Sequence, residues 1–387
     1  MILFRRRLRR EEGGGDSFED LGKVYAPTPY GPLLSGDGFL EPYATDLSSA
    51  FRELAPLFYV EGAQEVFLRA RDSDVKGVLT IRGRRFAIKA ECKFERVVEE
   101  IVARTGVPLS LAKPSAITEI EGWRVELKMP LIAAAWELNA TKLLPPPPLR
   151  EYGSLVAARL LTLALTPLPI LVTGAPGSGK STLVNSILVE VARLYPQLRI
   201  LLIERVRELY IPPGAVNIGV RVGEELGLHL REALRWARPD IVVVGEIRAE
   251  DVDFIDASRA GVPLSSTIHA PSARRALEAM SYHARRILGF ITPRELSRLI
   301  PVHVEMFKRV SKVIERGVSS ILVSDGQKLL VVSSGDRHCG DRLFENLLSP
   351  WSTVTGVDAV SFYHEAMEMF GAEGGAGWRA LGYVSLD

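Results

Sequence analysis

The sequence predicts an α/β protein: a parallel sheet flanked by helices, preceded by an α+β domain and followed by a small C-terminal appendage. Three observations carry that prediction. Short apolar runs alternate with helical periods from about residue 150 to 310, as in strands laid parallel with crossover helices. A glycine-rich turn at 174–179 lies between one such run and one such helix. Four consecutive prolines at 145–148 mark a stiff linker, 145–149, ahead of this region.

Length and composition bound the rest. At 387 residues two domains are expected. A net charge of +1 gives no strong field for nucleic acid or an anionic membrane. Two cysteines, Cys92 and Cys339, are too few and too far apart for a metal knuckle or disulfide framework, which points to a reducing compartment. No signal peptide is expected, because the basic stretch at 5–10 leads into acidic and glycine residues. The longest apolar region, 160–172, is broken by Pro167 and Pro169 and is too short to span a bilayer, so a soluble chain is expected. Asn and Gln are scarce and Arg outnumbers Lys, which suits heat adaptation, although the arginine preference equally reflects genome composition.

Taken in order, residues 1–46 are rich in Gly, Pro and charge and read as a flexible tail followed by an extended arm. Residues 47–144 read as the N-terminal α+β domain. Strands are expected at 65–70, 78–82 and 85–89, with a helix at 94–104 ended by Thr105 and Gly106. A strand pair over 116–129 turns at Glu121 and Gly122. Residues 150–310 hold the parallel sheet. Residues 311–387 read as a C-terminal segment whose clearest feature is a hairpin, 319–324 with 328–333, around Asp325 and Gly326.

The glycine-rich turn carries the chemistry. Gly174, Ala175, Pro176, Gly177, Ser178, Gly179, Lys180, Ser181 and Thr182 satisfy G-x-x-x-x-G-K-[ST]. An apolar strand at 170–173 precedes them, and a helix with apolar residues at 183, 184, 187, 188, 191 and 194 follows. Such a strand–turn–helix is a phosphate site: backbone N–H groups and the positive helix end face the anion. Lys180 then reaches the outer phosphates, and Ser181 can hold Mg²⁺. The chain is therefore read as a P-loop NTPase that binds ATP with Mg²⁺.

Three further strands end in polar residues. The run 199–204 ends in Glu204, and parallel strands present ligand-contacting residues at their carboxyl ends. Glu204 is expected to orient or deprotonate the attacking water, against a structural reading as a cap or ion pair with Arg205 or Arg207. Glu208, four residues on, is the second candidate. The run 241–246 ends in Glu246, expected to hold Mg²⁺ through water and to polarise the nucleophile, with Asp240 at the opposite end as a structural cap. The run 263–269 ends in His269, placed where a γ-phosphate sensor would sit, against the ordinary reading of a satisfied core histidine. Arg221, Arg231, Arg235, Arg238 and Arg248 crowd the Glu246 strand, and as a group they are expected to include an arginine finger acting in trans.

These segments occur in an order and spacing that resembles the type II/type IV secretion ATPases, the hexameric motors of type IV pili, archaella and protein secretion. The resemblance rests on the P-loop, the acidic stretch 203–208, the stretch 238–248 and Ser266 to Ala270, which match that family's Walker A, Asp box, Walker B and His box. It is strong over 168–275, weaker over 60–145 and faint after 310. It implies a RecA-like sheet, composite ATP sites in a hexamer, and the roles above for Lys180, Ser181, Glu204, Glu246 and His269, with Arg248 in the Walker B segment. It also implies partners: a polytopic membrane platform protein and, indirectly, a pilin or secreted substrate, at the inner face of the cell membrane. Three departures stand out. The acidic box reads Glu-Arg-Val where many relatives have Glu-Asp-Pro, and residues 139–142 lack the usual phosphate-side arginine, with Lys142 nearest in place. The tetracysteine zinc module of some secretion members is absent, so that subtype is not expected, and the overall layout looks most like the compact archaeal members.

Other functions remain distinguishable from the same residues. A DNA-translocating ATPase needs a basic lumen, and the low net charge and lack of aromatic–basic interleaving count against it. A small-molecule kinase needs an acceptor pocket and lid arginines. A slow regulatory ATP-binding subunit fits the altered acidic box.

Overall fold

A computed structural model describes residues 23–220, 224–289, 291–311, 314–335, 337–375 and 377–386. The chain divides into two units, Met1–Leu144 with Ser311–Ile314, and Pro145–Val310 with Glu315–Asp387.

The first unit is built on β1 (Lys23–Ala26), β2 (Leu33–Gly36), β3 (Phe39–Pro42), β4 (Ala63–Arg71), β5 (Asp74–Ile81), β6 (Arg84–Glu91), β7 (Ser115–Ile120), β8 (Trp123–Lys128) and β9 (Trp136–Lys142). Their order in the sheet is β1-β2-β3-β6-β5-β4-β9-β8-β7. Period-two alternation turns Val66, Leu68 and Ala70 of β4 inward, into one core with Phe94, Val97 and Ile101 of the helix Phe94–Thr105. That helix stops at Gly106, whose φ of 66° lets its N–H return to Val102 O.

One expectation is corrected here. Residues 23–46 are not an extended arm. Strands β1 to β3 form a meander whose last strand runs parallel to β6, with Leu40 opposite Ile88. Leu33 and Leu40 are buried in the same core. Four-residue strands separated by Gly and Pro show too little period to read, and the edge of β6 supplies their pairing. Residues 1–22 of the expected tail lie outside the described residues.

The second unit contains β10 (Ile170–Gly174), β11 (Ile200–Glu204), β12 (Val216–Gly219), β13 (Ile241–Ile247), β14 (Leu264–His269), β15 (Val302–Val310), β16 (Ile314–Ser324), β17 (Leu329–Ser334), β18 (Arg337–His338) and β19 (Gly382–Val384). The sheet order is β12-β11-β13-β14-β10-β15-β16-β17-β18, with β19 on β17. From β12 to β15 the pairings are parallel. Of these, β10, β11 and β13 are almost wholly apolar because both faces are covered, while β14 carries the buried Ser265, Ser266 and Thr267. Ile170, Val172, Leu202 and Val243 pack with helices Ser154–Leu165 and Lys180–Leu194. Leu171, Leu201, Val242 and Val244 pack with helices Ala273–Leu288 and Pro293–Leu299.

A second correction concerns residues 311–387, which are not a segment apart. Strands β16 and β17 extend the sheet beyond β15, and helices Asp341–Leu348 and Ala359–Phe370 bury Phe344, Phe362 and Tyr363 in the core below it. Arg159, fully buried in the mostly apolar helix Ser154–Leu165, ties them down. Its guanidinium donates to Val332 O at 2.8 Å, Cys339 O at 2.9 Å and Asp341 Oδ1 at 3.3 Å. The hairpin is a local signal, whereas its docking depends on a cation over a hundred and seventy residues away in the chain.

Candidate active site

Strands β13, β14 and β10 are neighbours, so their carboxyl ends bring residues 246, 269 and 174 to one edge of the sheet. Gly174 lies opposite His269 in the register. The loop after β10 needs its glycines: Gly174, Gly177 and Gly179 have φ of +154°, +68° and +92°. A Cβ on Gly174 would meet Ser178 Oγ at 2.6 Å and Met306 O at 2.9 Å. Helix Lys180–Leu194 starts from Gly179 without a side-chain cap, which leaves its first-turn N–H groups to an anion. Ser178 Oγ is buried and has no hydrogen-bond partner among the described residues, a donor in the turn that suits a phosphate oxygen.

Lys180 is buried, and its Nζ donates to Gly174 O at 3.1 Å and Ala175 O at 3.3 Å. The same Nζ lies 2.9 Å from His269 Nδ1. An ammonium group only donates, so Nδ1 accepts and the neutral imidazole carries its proton on Nε2. That Nε2 faces Glu246 Oε2 at 3.3 Å. Burial lowers the Lys180 pKa, opposed by the charges of Glu246 and Glu208.

A bulge aims Glu246. Val244 pairs with Ser266 and Ile247 with Ile268, so one extra residue of β13 falls at Gly245 and Glu246. Thr267 Oγ1 holds the bulge by donating to Gly245 O at 2.8 Å. Glycine is needed there because a Cβ on Gly245 would sit 2.9 Å from Glu204 Cγ.

Glu204 departs from its expected role. It is buried, and its Oε1 accepts the N–H groups of Glu208 at 2.9 Å and Leu209 at 3.0 Å. Its Oε2 accepts Asn217 Nδ2 at 2.7 Å. Burial raises its pKa, and these three bonds pull it back. A carboxylate engaged on both oxygens organises the 205–209 loop instead of facing water. The loop it holds carries Glu208, whose Oε2 accepts Ser181 Oγ at 2.7 Å. The acid that reaches the P-loop serine is thus Glu208, because the chain must turn past the end of β11 before a carboxylate comes level with the loop.

The arginines separate. Arg231 is paired with Asp253, and Arg221 lies outside the described residues. The Arg248 N–H donates to Asp251 Oδ2 at 2.6 Å, while its guanidinium, like those of Arg235 and Arg238, is exposed and makes no ion pair among the described residues. In the first unit, Lys142 Nζ lies 4.9 Å from the Trp123 ring and 5.5 Å from that of Tyr59. Two cations had no sequence signal at all. Lys308 on β15 and Arg316 on β16 reach the P-loop from more than a hundred and thirty residues along the chain, and they donate to Pro176 O at 3.3 Å and Gly177 O at 2.8 Å.

Among the described residues no three His, Cys, Asp or Glu side chains converge as a metal cage. Mg²⁺ needs none, since it takes one or two protein ligands beside phosphate oxygens and water. Ser181, with Glu208 beside it and Glu246 at the same edge, fits that demand. Among the described residues no helix is long and apolar enough to cross a membrane.

A family model described as "Type II/IV secretion system protein" matches residues 156–288. The Holliday junction branch migration ATPase PINA of Sulfolobus acidocaldarius is 30% identical over 165 residues, covering 41% of this chain and 31% of that protein. The type IV secretion system protein PtlH of Bordetella pertussis is 34% identical over 177 residues, 41% of this chain and 50% of PtlH. The chain thus spans half or less of the length of these relatives. Among solved structures, the Legionella pneumophila ATPase DotB aligns at 19% identity with a TM-score of 0.47, over 81% of this chain and 85% of its own. The pilus retraction motor PilT with bound ADP aligns at 18% and 0.47, over 68% and 80%.

Proposed function

We propose, from the match of residues 156–288 to the type II/IV secretion system protein model, that this chain is an ATP-hydrolysing motor of that family. It works as a ring of identical subunits, a hexamer, with ATP bound where subunits meet. The single observation that carries this reading is the chain of contacts Lys180–His269–Glu246 beside the phosphate loop, 2.9 Å and 3.3 Å long.

Each group has work to do there. The N–H groups of 177–181 and the helix end receive the β- and γ-phosphates, and Lys180 exchanges loop carbonyls for phosphate oxygens. Ser181, with Glu208 beside it, would hold Mg²⁺, which would supply neutralisation of the phosphate charge. Glu246 takes the proton of the attacking water or orients it, from a bulge that keeps the carboxylate clear of the strand. His269 links Lys180, which senses phosphate, to Glu246, which acts on water. Glu208 holds the Ser181 hydroxyl, and Glu204 holds Glu208. An exposed arginine among Arg235, Arg238 and Arg248 completes a neighbour's site. The partners are a membrane platform protein and, through it, a pilin or secreted substrate, with the ring resting on the inner face of the membrane.

The test is ATPase rate per protomer against protein concentration, with light scattering on the same samples. A rate that climbs as hexamers form supports composite sites and a ring motor. A flat rate in a monomer overturns it in favour of a self-contained kinase or regulatory site. A second reading, a DNA-translocating ATPase, is favoured by the relative named for Holliday junction branch migration. Stimulation of the same ATPase by branched duplex DNA selects that reading, and indifference to DNA selects the first.

A further inference from the structure

The P-loop is held from behind by the strands that follow the nucleotide sheet, and this feature lies outside residues 156–288, where the family is recognised. Lys308 Nζ donates to Pro176 O and Arg316 Nε to Gly177 O, the two carbonyls at the tip of the loop. Met306, two residues before Lys308, presses its carbonyl and Cβ against Gly174 at the loop's start. A Cβ on Gly177 would lie 2.9 Å from Lys308 Nζ, so the cation sits directly against the loop backbone.

We propose that Lys308 and Arg316 are positioning residues for the bound triphosphate, a basic brace that fixes the P-loop tip so that its N–H groups stay turned toward phosphate. In a peptide unit the carbonyl and the next N–H point in opposite directions. Anchoring the carbonyl of Pro176 on one side therefore directs the N–H of Gly177 to the other, while the carbonyl of Gly177 is fixed opposite a Ser178 N–H that closes the turn on Ala175 O. A loop with glycines at three positive-φ positions loses more conformational freedom on ordering than any other, and a brace removes part of that cost before the ligand arrives. Bonds from a cationic donor to a neutral carbonyl are about twice as strong as neutral ones. The two cations also set positive charge behind the phosphates. This inference rests on the reading that the loop binds ATP.

The experiment titrates full-length wild type, Lys308→Ala, Arg316→Ala, the double alanine variant and the double variant Lys308→Arg with Arg316→Lys. The probes are Mg²⁺ with a non-hydrolysable ATP analogue, then ADP. Each alanine is expected to weaken both nucleotides about tenfold, the loss of one charge-assisted bond, with the double variant weaker still. The charge-preserving double variant is expected to recover most of the affinity. Saturated turnover is expected to fall much less than affinity, and the melting temperature without nucleotide to stay within a degree or two of wild type. Wild-type affinity in the double alanine variant would overturn the brace alone. Loss confined to the ATP analogue, with ADP unaffected, overturns it too, because the cations would then contact the γ-phosphate and not the loop. A wild-type protein that binds neither nucleotide overturns the brace together with the ATP reading beneath it.

Discussion

At Glu246, replacement by Gln keeps the side chain's size and a hydrogen bond toward His269 but removes the carboxylate that we propose acts on water. Nucleotide binding is expected to survive while single-turnover hydrolysis falls about a hundredfold or more, and wild-type turnover would refute the assignment. Lys180→Ala, by contrast, is expected to lose tight binding itself, measured by the same titration. The two acids of the 204–208 stretch separate by a different readout. Glu204→Gln weakens three buried hydrogen bonds, so it is expected to lower the melting temperature by several degrees. Glu208→Gln is expected to lower melting less than Glu204→Gln and to raise the Mg²⁺ concentration needed for half-maximal turnover, because the lost carboxylate is the one that accepts the Ser181 hydroxyl. Equal melting curves for the two variants would contradict this division. Residues 174–182 were legible in the sequence because strand, turn and helix are local. The inward turn of Glu204 and the meeting of Glu208 with Ser181 were not, because they depend on Gly245 of a neighbouring strand making room for the buried carboxylate.

Among the elements, the apolar runs that became β10, β11 and β13 were readable because burial on both faces leaves almost no polar position to confuse them. The bulge in β13 left only a glycine as a trace, and its register comes from Thr267 on the next strand. Strands β1 to β3 were hidden for the opposite reason, since their pairing comes from a sheet assembled around them. The C-terminal elements show how far such tertiary anchoring goes. Arg159 is wholly buried, and five protein groups around β17, Cys339, Asp341 and Tyr363 accept its bonds. Its loss takes the cation out of that network and leaves Cys339 O without its guanidinium donor, and removing one partner of a buried charged network costs about 3–5 kcal/mol. Arg159→Ala is therefore expected to open the C-terminal elements locally before the whole unit melts. Cys339, buried beside Arg159 with a thiol pKa raised by that burial, is the probe. In a Cys92→Ser background, aromatic-disulfide labelling of Cys339 is expected to be slow in the parent and many times faster in Arg159→Ala. Equal labelling rates would mean that the guanidinium does not hold these elements down.

For the whole molecule, stability should turn on a histidine that takes no part in the site. His303 lies in β15 opposite Leu171, is fully buried, and neither ring nitrogen makes a well-formed hydrogen bond. Burial pushes its pKa from 6.5 down to about 4, and the Ile300 backbone offsets only part of that shift. Above pH 6.5 the ring is neutral in both folded and unfolded chains and makes no pH-dependent contribution. Between pH 6.5 and about 4 the unfolded chain takes up a proton that the folded one refuses, so stability falls as pH falls, by about 1.4 kcal/mol per pH unit. The full loss is about 3 kcal/mol by pH 4, a large part of the net stability of a typical domain. Carboxylates such as Glu121, whose pKa is lowered by bonds from Tyr59, Ser49 and Ala50 despite the cost of burial, add their own loss only when pH drops through the ordinary carboxylate range. Acid unfolding should therefore begin two pH units earlier than carboxylates alone would allow. Urea unfolding of the P-loop unit at pH 7.5, 6, 5 and 4.5 measures it. His303→Leu fills the same space with an apolar side chain and removes the titration, so its stability should stay level down to about pH 5 while wild type declines. Parallel curves for the two proteins across that window would show that His303 is not what sets the acid limit.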